Sequence, residues 1–246
     1  MATQALVDEF RSLNADLSKL AQRDLAAFWA KLDTTDIAVA REQLTTFMTA
    51  LVDTYGKPSA LIAANYYDQL RAASPNAKGT FRAVMAEPAQ AEAVAGTVRY
   101  AMGSVDKGTA LGILSGATQR YVSKAGRDTI AFSSSRDPSP GAWARVPTGA
   151  TTCGFCNMLA SRGAVYGSEA SAKYAKDGDR YHDDCNCVPT QIWTGDSLPS
   201  GYDPEALYGD DYKPARDAIE AEGGSLDGKT IAKVMDEGRP HTKAGA

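Results

Sequence analysis

The sequence contains little histidine and little cysteine: two histidines and four cysteines among 246 residues. It has no run of about 18 apolar residues, which a membrane-spanning helix would need. A glycine-rich phosphate loop, internal repeats and low-complexity tracts are also missing. These absences argue against a membrane-spanning protein, a P-loop protein and a repeat protein, and we expect no membrane among the partners.

The sequence also has little excess of charge of either sign, since its net charge is −4. The first residues show no apolar core of a secretory signal, so we expect folding in a reducing compartment. The charge is distributed unevenly. After Gly195 there are eleven acids and six bases, whereas between Arg99 and Arg145 there are seven bases and three acids. The basic stretch is either a solvated helix face or a contact for a polyanion.

The few cysteines are concentrated in thirty-five consecutive residues together with one histidine. Cys153 and Cys156 form a Cys-x-x-Cys pair, and His182, Cys185 and Cys187 follow as His-x-x-Cys-x-Cys. This spacing predicts a structural zinc site, because Zn²⁺ takes four sulfur or nitrogen ligands tetrahedrally. Five candidates for four positions leave one spare. We expect Cys185 or Cys187 to be the spare, since the two lie too close for both to be well oriented.

Three other interpretations of the cysteines stay open at this stage. Two disulfides are one, although a Cys-x-Cys pair would close a very small ring. Free thiols are another. A redox role for Cys153 and Cys156 is the third, but no βαβ pattern surrounds the pair.

The first third of the chain predicts helices. The first has an apolar stripe with spacings of three and four residues, formed by Leu6, Phe10, Leu13, Leu17 and Leu20. A break follows, with Thr34 or Thr35 as the expected N-cap of the second helix. We expect that helix to end at Gly56 and a third to begin at Pro58.

A longer helix is predicted from about Gly108 to Ser133. Its inward positions are expected to be Leu111, Leu114, Thr118, Tyr121, Ala125 and Phe132. The other face aligns Arg120, Lys124 and Arg127. With Arg145, these three are the candidate nucleic-acid-binding residues. Carboxylates of the acidic tail are the alternative partners of this face.

Proline and glycine at 138–141 end the helical pattern of the first half, and we place a domain boundary there. Residues 143–147 and 188–193 resemble short strands, and residues 155–162 resemble a short helix. The predicted architecture is α-rich: a helical domain at 1–137, a small α+β domain held together by zinc at 138–195, and an acidic extended tail with a short helix at 196–246.

The cysteine-rich part resembles the minor head proteins of tailed phages, the MuF-like head-morphogenesis family in its actinobacteriophage form. Four motifs carry the resemblance: Trp143-Ala144-Arg145-Val146-Pro147, Thr152-Cys153-Gly154-Phe155-Cys156, Leu159-Ala160-Ser161-Arg162-Gly163 and His182-Asp183-Asp184-Cys185-Asn186-Cys187. The match covers about residues 140–195. It implies a virion protein of low copy number that lies inside the head near the portal and is made in the host cytoplasm.

The resemblance further implies a non-catalytic role in head assembly, with the portal protein and other head proteins as partners. Non-specific contact with packaged double-stranded DNA is compatible with it. The alternatives are a zinc-knuckle metal-dependent nuclease and a DNA-binding module. A nuclease would need a general base and an open metal position. Asp183 and Asp184 are its candidate magnesium ligands, but His182 is expected to bind zinc, and the second histidine is His241.

Overall fold

The computed structural model describes residues 2–148, 152–167, 181–183 and 185–237. Most of these residues are helical, which confirms the predicted α-rich class with a small α+β unit. In chain order the elements are α1 (Ala2–Trp29), α2 (Ile37–Ala73), α3 (Ala91–Met102), a 3₁₀ turn (Val105–Lys107), α4 (Ala110–Arg136), β1 (Gly141–Val146), α5 (Gly154–Ala160), β2 (Val188–Trp193), α6 (Pro204–Ala206), a π-helical segment (Leu207–Tyr212), α7 (Lys213–Ala221) and α8 (Gly228–Glu237).

The buried face of α1 differs from the predicted leucine stripe, because Leu13 and Leu20 are 43% and 40% exposed. The buried positions include two polar side chains: Val7, Phe10, Asn14, Ser18, Ala21 and Leu25. Asn14 is accommodated because the Ser59 hydroxyl of α2 donates a hydrogen bond of 2.6 Å to its Oδ1. Apolar spacing alone did not reveal this face, since the partner that satisfies Asn14 is distant in sequence.

The second and third predicted helices are a single helix, α2, with Pro58 in its interior. The predicted break at Gly56 is therefore wrong. Gly56 instead permits close packing, because a Cβ atom at this position would lie 3.0 Å from the Cβ of Pro88. Burial of one long apolar face outweighs the local cost of the proline.

The N-cap of α2 is Asp36, whose carboxylate accepts hydrogen bonds from two backbone N–H groups of the first turn. The predicted caps, Thr34 and Thr35, are wrong. Thr35 is engaged elsewhere, because its N–H and hydroxyl both donate to Oδ1 of Asp33. Asp33 and Asp36 thus both accept hydrogen bonds in the turn between α1 and α2.

Helix α4 runs to Arg136, beyond the predicted end. Of its predicted inward positions, Leu114, Thr118, Tyr121 and Ala125 are buried. Phe132 is 44% exposed, so its inward placement is wrong. The last turns of α4 direct Ile130 and Ser133 towards the interior instead.

Two large hydrophobic clusters organise the helices and the sheet. The first lies among α1, α2, α3 and α4. The second joins the helices to the sheet, with Val7, Tyr67 and Ile130 packed in the same cluster as Val146 and Trp193. The sheet therefore rests directly on the helical part, while the domain division near residue 137 stays a prediction. No helix in the described ranges is long and apolar enough to cross a membrane.

The two predicted strands are confirmed and form an antiparallel pair. Trp143 lies opposite Gln191, and Val146 lies opposite Val188. All six residues of β2 are buried, because helices cover the sheet. A two-stranded sheet is marginally stable alone, so this pair depends on its surroundings.

Between residues 204 and 237 the acidic C-terminal part forms α6, the π-helical segment, α7 and α8, with a non-helical connection at 222–227, so the extended tail predicted there is corrected. Ile231 and Met235 of α8 pack in one cluster with Met158 and Leu159 of α5. These short amphipathic helices gain their stability by covering α5. The predicted tail beyond residue 237 lies outside the described residues.

A buried carboxylate joins the end of α4 to α2 and β2. Oδ2 of Asp137 accepts hydrogen bonds from Nε of Arg71 at 2.9 Å, the Tyr67 hydroxyl at 3.1 Å and Nε1 of Trp193 at 3.2 Å. The Asp137 side chain is 0% exposed and that of Arg71 is 9% exposed. Burial acts to raise the pKa of Asp137, but the hydrogen bonds from Arg71, the Ser139 N–H and Tyr67 outweigh it and hold the pKa below its usual value.

We predict that Asp137→Ala lowers the free energy of unfolding by about 3–5 kcal/mol at pH 7, because it leaves the Arg71 guanidinium buried without its carboxylate. The folded-state pKa of Asp137 is lowered. Its contribution is therefore complete above the unfolded pKa of about 3.9 and is lost as the pH falls through the folded pKa. Urea unfolding at several pH values measures both effects.

Asp53→Ala is the matched control, since Asp53 pairs with Lys57 at the surface, where its side chain is 54% exposed. Loss of such an exposed pair is expected to cost less than about 1 kcal/mol. Equal destabilisation by the two substitutions at pH 7 would contradict the role assigned to Asp137.

Candidate metal centre

Sulfur and nitrogen donors meet where two segments of the chain run side by side. The pairing of Val146 with Val188 places the residues that follow β1 next to those that precede β2. Cys153 is the N-cap of α5, and Cys156 lies in its first turn. The histidine and the other two cysteines lie on the segment that leads into β2. The strand pair thus brings the two sequence motifs together.

The five donor atoms form two triangles that share Sγ of Cys156. In the first, Nε2 of His182 lies 3.0 Å from Sγ of Cys153 and 3.2 Å from Sγ of Cys156. In the second, the sulfurs of Cys156, Cys185 and Cys187 lie within 4.8 Å of one another. The Cys156 and Cys185 sulfurs are 3.4 Å apart. Cys156 is therefore the donor that joins the two triangles.

This donor set fits a borderline-soft cation such as zinc. Tetrahedral zinc keeps its sulfur and nitrogen ligands about 3.5–3.8 Å apart, a few tenths of an ångström more than the separations found here. All four cysteines are unlinked, and the distance between Cys156 and Cys185 is far longer than a disulfide bond of about 2.05 Å. The cluster can therefore hold a metal ion, and the disulfide alternative is not observed.

Mutual hydrogen bonds divide the thiols into charged and neutral groups. The pKa of Cys153 is lowered to about 4, first by its hydrogen bond with Cys156 and, against the effect of burial, by that with His182. The pKa of Cys185 is lowered, chiefly by its hydrogen bond with Cys156. The hydrogen bond with Cys156 acts to lower the pKa of Cys187, but that with Cys185 and burial outweigh it and raise the pKa to about 12. Negative charge therefore accumulates at two of the cysteines, which favours a bound cation.

Helix α4 holds the histidine-containing segment in place. A Cβ atom at Gly116 would lie 3.0 Å from the Cβ of Asp183, so the segment lies directly on the helix. Nε of Arg120 donates to Oδ1 of Asp183 at 2.6 Å. Two turns further along the helix, Nη2 of Arg127 donates to the carbonyl of Cys185 at 2.6 Å. Two of the three aligned cations of α4, Arg120 and Arg127, thus bind the metal-site segment itself.

The candidate nucleic-acid-binding residues are divided by this arrangement. Arg127 is 7% exposed and Arg145 is 0% exposed, so both are directed into the protein and their expected contact with a polyanion is corrected. Arg120 and Lys124 remain partly exposed, with side chains at 32% and 49%, and the latter pairs with Asp128. A nucleic-acid contact by these two stays a prediction.

Two arginines and a tyrosine form a stack beside the cysteines. The guanidinium carbons of Arg127 and Arg145 each lie 3.9 Å from the centroid of the Tyr181 ring. Nη2 of Arg145 also lies 3.6 Å from Sγ of Cys185 and 4.0 Å from Sγ of Cys156. The positive charge of Arg145 is therefore placed against the sulfurs of the second triangle.

The C-terminal helices cover the first ligand pair. The N–H of Gly154 donates to Oδ1 of Asp236 in α8. A Cβ atom at Gly154 would lie 2.2 Å from the carbonyl oxygen of Ala232, so only glycine permits this approach. Nδ2 of Asn157 donates to Oδ2 of Asp211 at 3.0 Å. Helix α8 and the π-helical segment thus pack on the same short helix that carries Cys156.

Several residues of the centre were missed by sequence reasoning. Gly154 could have been found from the sequence, since a glycine between two paired cysteines can indicate a close approach of another segment. Tyr181 and Gln119 carry no such signal, because their contacts join distant parts of the chain. The Tyr181 ring contacts Arg127 and Arg145, and Gln119 donates a hydrogen bond of 3.3 Å to the carbonyl of Cys185, 66 residues away. Asp184 and His241, named in the nuclease alternative, lie outside the described residues.

Fold and cluster together define an α-rich protein with a mixed cysteine and histidine centre that can hold a metal ion. The VG15 protein family matches residues 1–215, and the chain belongs to this family. Over 53 residues the chain is 49% identical to the Gene 15 protein of Mycobacterium phage D29, a stretch of 20% of this chain and 19% of that protein. No solved structure matches the chain. Helix α8 lies beyond the residues matched by the family.

We predict that Cys156→Ser reduces bound zinc from about one ion per chain to almost none and exposes the chain after residue 140 to proteolysis, because binding and folding of such a site are coupled. Cys156 belongs to both triangles of donors. Helices α1 to α4 are expected to resist the protease, since they have their own hydrophobic cluster. Metal analysis and limited proteolysis measure the two effects.

Cys187→Ser is the matched control, since Cys187 is one of the two expected spares and its raised pKa keeps it a neutral thiol. It is expected to retain zinc and the proteolytic pattern of the unmodified protein. Full zinc content and unchanged proteolysis in Cys156→Ser would count against a metal centre at this position.

Proposed function

We propose that the protein is a non-catalytic minor head protein of a tailed phage that acts in head assembly at the portal. Its membership of the VG15 family carries the proposal, together with the stretch that is 49% identical to a protein of Mycobacterium phage D29. That stretch spans about a fifth of each protein. The head and the portal come from the resemblance of residues 140–195 to MuF-like proteins.

In this proposal the centre binds one structural Zn²⁺ through Cys153, Cys156, His182 and Cys185. Cys185 is preferred to Cys187 because its sulfur lies 3.4 Å from that of Cys156 and its pKa is lowered, whereas the pKa of Cys187 is raised. Cys187 then acts as a buried neighbour that packs behind the ligands. Zinc would supply the cohesion that a two-stranded sheet and one short helix lack.

A structural role is favoured over hydrolysis by how the nearby groups are used. Four protein ligands would fill the tetrahedral positions of zinc and leave none for an activated water. Asp183, a candidate magnesium ligand of a nuclease, is paired with Arg120 at 2.6 Å. No described feature specifically favours the nuclease, which therefore serves as an outcome of the test below.

Head proteins, and the portal protein in particular, are the proposed partners. Contact with packaged DNA is a minor part of the proposal, because two of the four basic candidates are buried. Arg120 and Lys124 are already paired with carboxylates. Binding to DNA through these two would be weak, non-specific and strongly dependent on salt.

The proposal is tested on particles of the phage or prophage that encodes the chain. Quantitative mass spectrometry is applied to DNA-free procapsids and to DNA-filled heads, each after chemical cross-linking. We expect the protein in both particles, in few copies relative to the major capsid protein, with cross-links to the portal protein. Absence of the protein from both particles would overturn the proposal.

The enzymatic alternative is tested on the purified full chain with supercoiled plasmid DNA and added magnesium. We expect no nicking. Cleavage that is lost in His182→Ala, while circular dichroism shows the helices retained, would replace the structural role with a nuclease. A Cys187→Ser sample serves as the matched control for substitutions in the cluster.

A further inference from the structure

The stack of Arg127, Tyr181 and Arg145 is an uncommon arrangement for a protein interior. Both arginines are buried, and they lie on the same aromatic ring at equal distances of 3.9 Å. Burial of a guanidinium is costly unless charge or dipoles compensate it. An aromatic face and nearby sulfurs supply such compensation, since both present negative potential to a cation.

Both arginines also contact the same cysteine. Arg127 donates to the carbonyl of Cys185 at 2.6 Å, and Nη2 of Arg145 lies 3.6 Å from its sulfur. The backbone and the side chain of Cys185 are thus fixed by separate cations. Tyr181 keeps the two cations apart and stacked, and it is the residue immediately before His182. One segment therefore carries the ring and two of the four proposed ligands, His182 and Cys185.

We propose that Arg145 and Tyr181 are positioning residues of the metal centre. Arg145 donates N–H···S hydrogen bonds to Cys185 and Cys156 and so offsets the excess negative charge of a zinc ion with several thiolate ligands. Tyr181 holds the guanidinium groups of Arg145 and Arg127 in their stacked positions. This inference rests on the zinc centre of the proposed function. Groups of this kind, placed behind the ligands, typically change metal affinity about 10–100-fold.

Tyr181 contacts the two guanidinium groups through the faces of its ring. Its hydroxyl is buried and makes no hydrogen bond to any described residue. Removal of the hydroxyl should therefore keep the stack, whereas removal of the ring should release both guanidinium groups. Tyr181→Phe and Tyr181→Leu separate these two cases.

The experiment measures zinc affinity of the full chain by competition with a chromophoric chelator. Arg145→Met and Tyr181→Leu are expected to weaken zinc binding about 10–100-fold. Tyr181→Phe, which keeps the ring, should restore the affinity of the unmodified protein. Arg23→Met is the matched control, because Arg23 is an exposed arginine of α1 with its side chain at 69%.

A spectroscopic measurement separates positioning from a general effect on folding. In the cobalt-substituted protein, Arg145→Met should move the thiolate-to-cobalt charge-transfer band to longer wavelength, because loss of the N–H···S bonds raises the energy of the sulfur lone pairs. Arg145→Lys keeps the charge without the planar group and should show a smaller shift. Circular dichroism reports whether the helices of each variant are intact.

A folded Arg145→Met or Tyr181→Leu variant with affinity within about threefold of the unmodified protein, short of the usual 10–100-fold change, would overturn the inference. An unshifted cobalt band would do the same. If Arg145→Met does not fold, Arg145→Lys and Tyr181→Leu decide the outcome. Failure of the unmodified protein to bind zinc would instead refute the proposed zinc centre, a result that is distinguishable from the others.

Discussion

The two-stranded sheet is the constraint on which the rest of the centre depends. A sheet of this size is marginally stable alone, and here polar interactions secure both of its ends. At one end, Asp137 accepts a hydrogen bond from Trp193 of β2. At the other, the donors that follow β1 meet those that precede β2. Successive side chains of a strand alternate between its two faces, so a register shift of one residue would reverse the faces of β2 and separate the donors. Every residue of β2 is buried, and each would then lose its packing partners.

The arginines near the metal centre contact other segments of the chain and are largely withdrawn from the surface. Arg127 and Arg145 contact Cys185 and the Tyr181 ring. Arg120 is paired with Asp183. The aligned spacing of Arg120, Lys124 and Arg127 on α4 looks the same in sequence whether the partner is DNA or a segment of the chain itself. The structure favours the second interpretation for Arg120 and Arg127, which contact Asp183 and Cys185.

Sequence spacing was sufficient for features that are encoded locally. The Cys-x-x-Cys and His-x-x-Cys-x-Cys motifs, the two strands and the helical first half all follow from periodicity and residue type. Features that depend on distant contacts were not predictable. Pro58 remains inside α2 because a long apolar face is buried, and Gly154 is required by the approach of Ala232 in α8. The buried state of Arg145 likewise depends on sulfurs and a ring that lie far along the chain.

X-ray absorption at the zinc edge of the purified full chain tests the central claim most directly. The proposed ligands are Cys153, Cys156, His182 and Cys185. They predict a first shell of three sulfurs at about 2.3 Å and one nitrogen at about 2.0–2.1 Å, with no bound water. A shell dominated by oxygen, or protein that carries no zinc when purified under reducing conditions, would contradict a closed structural centre.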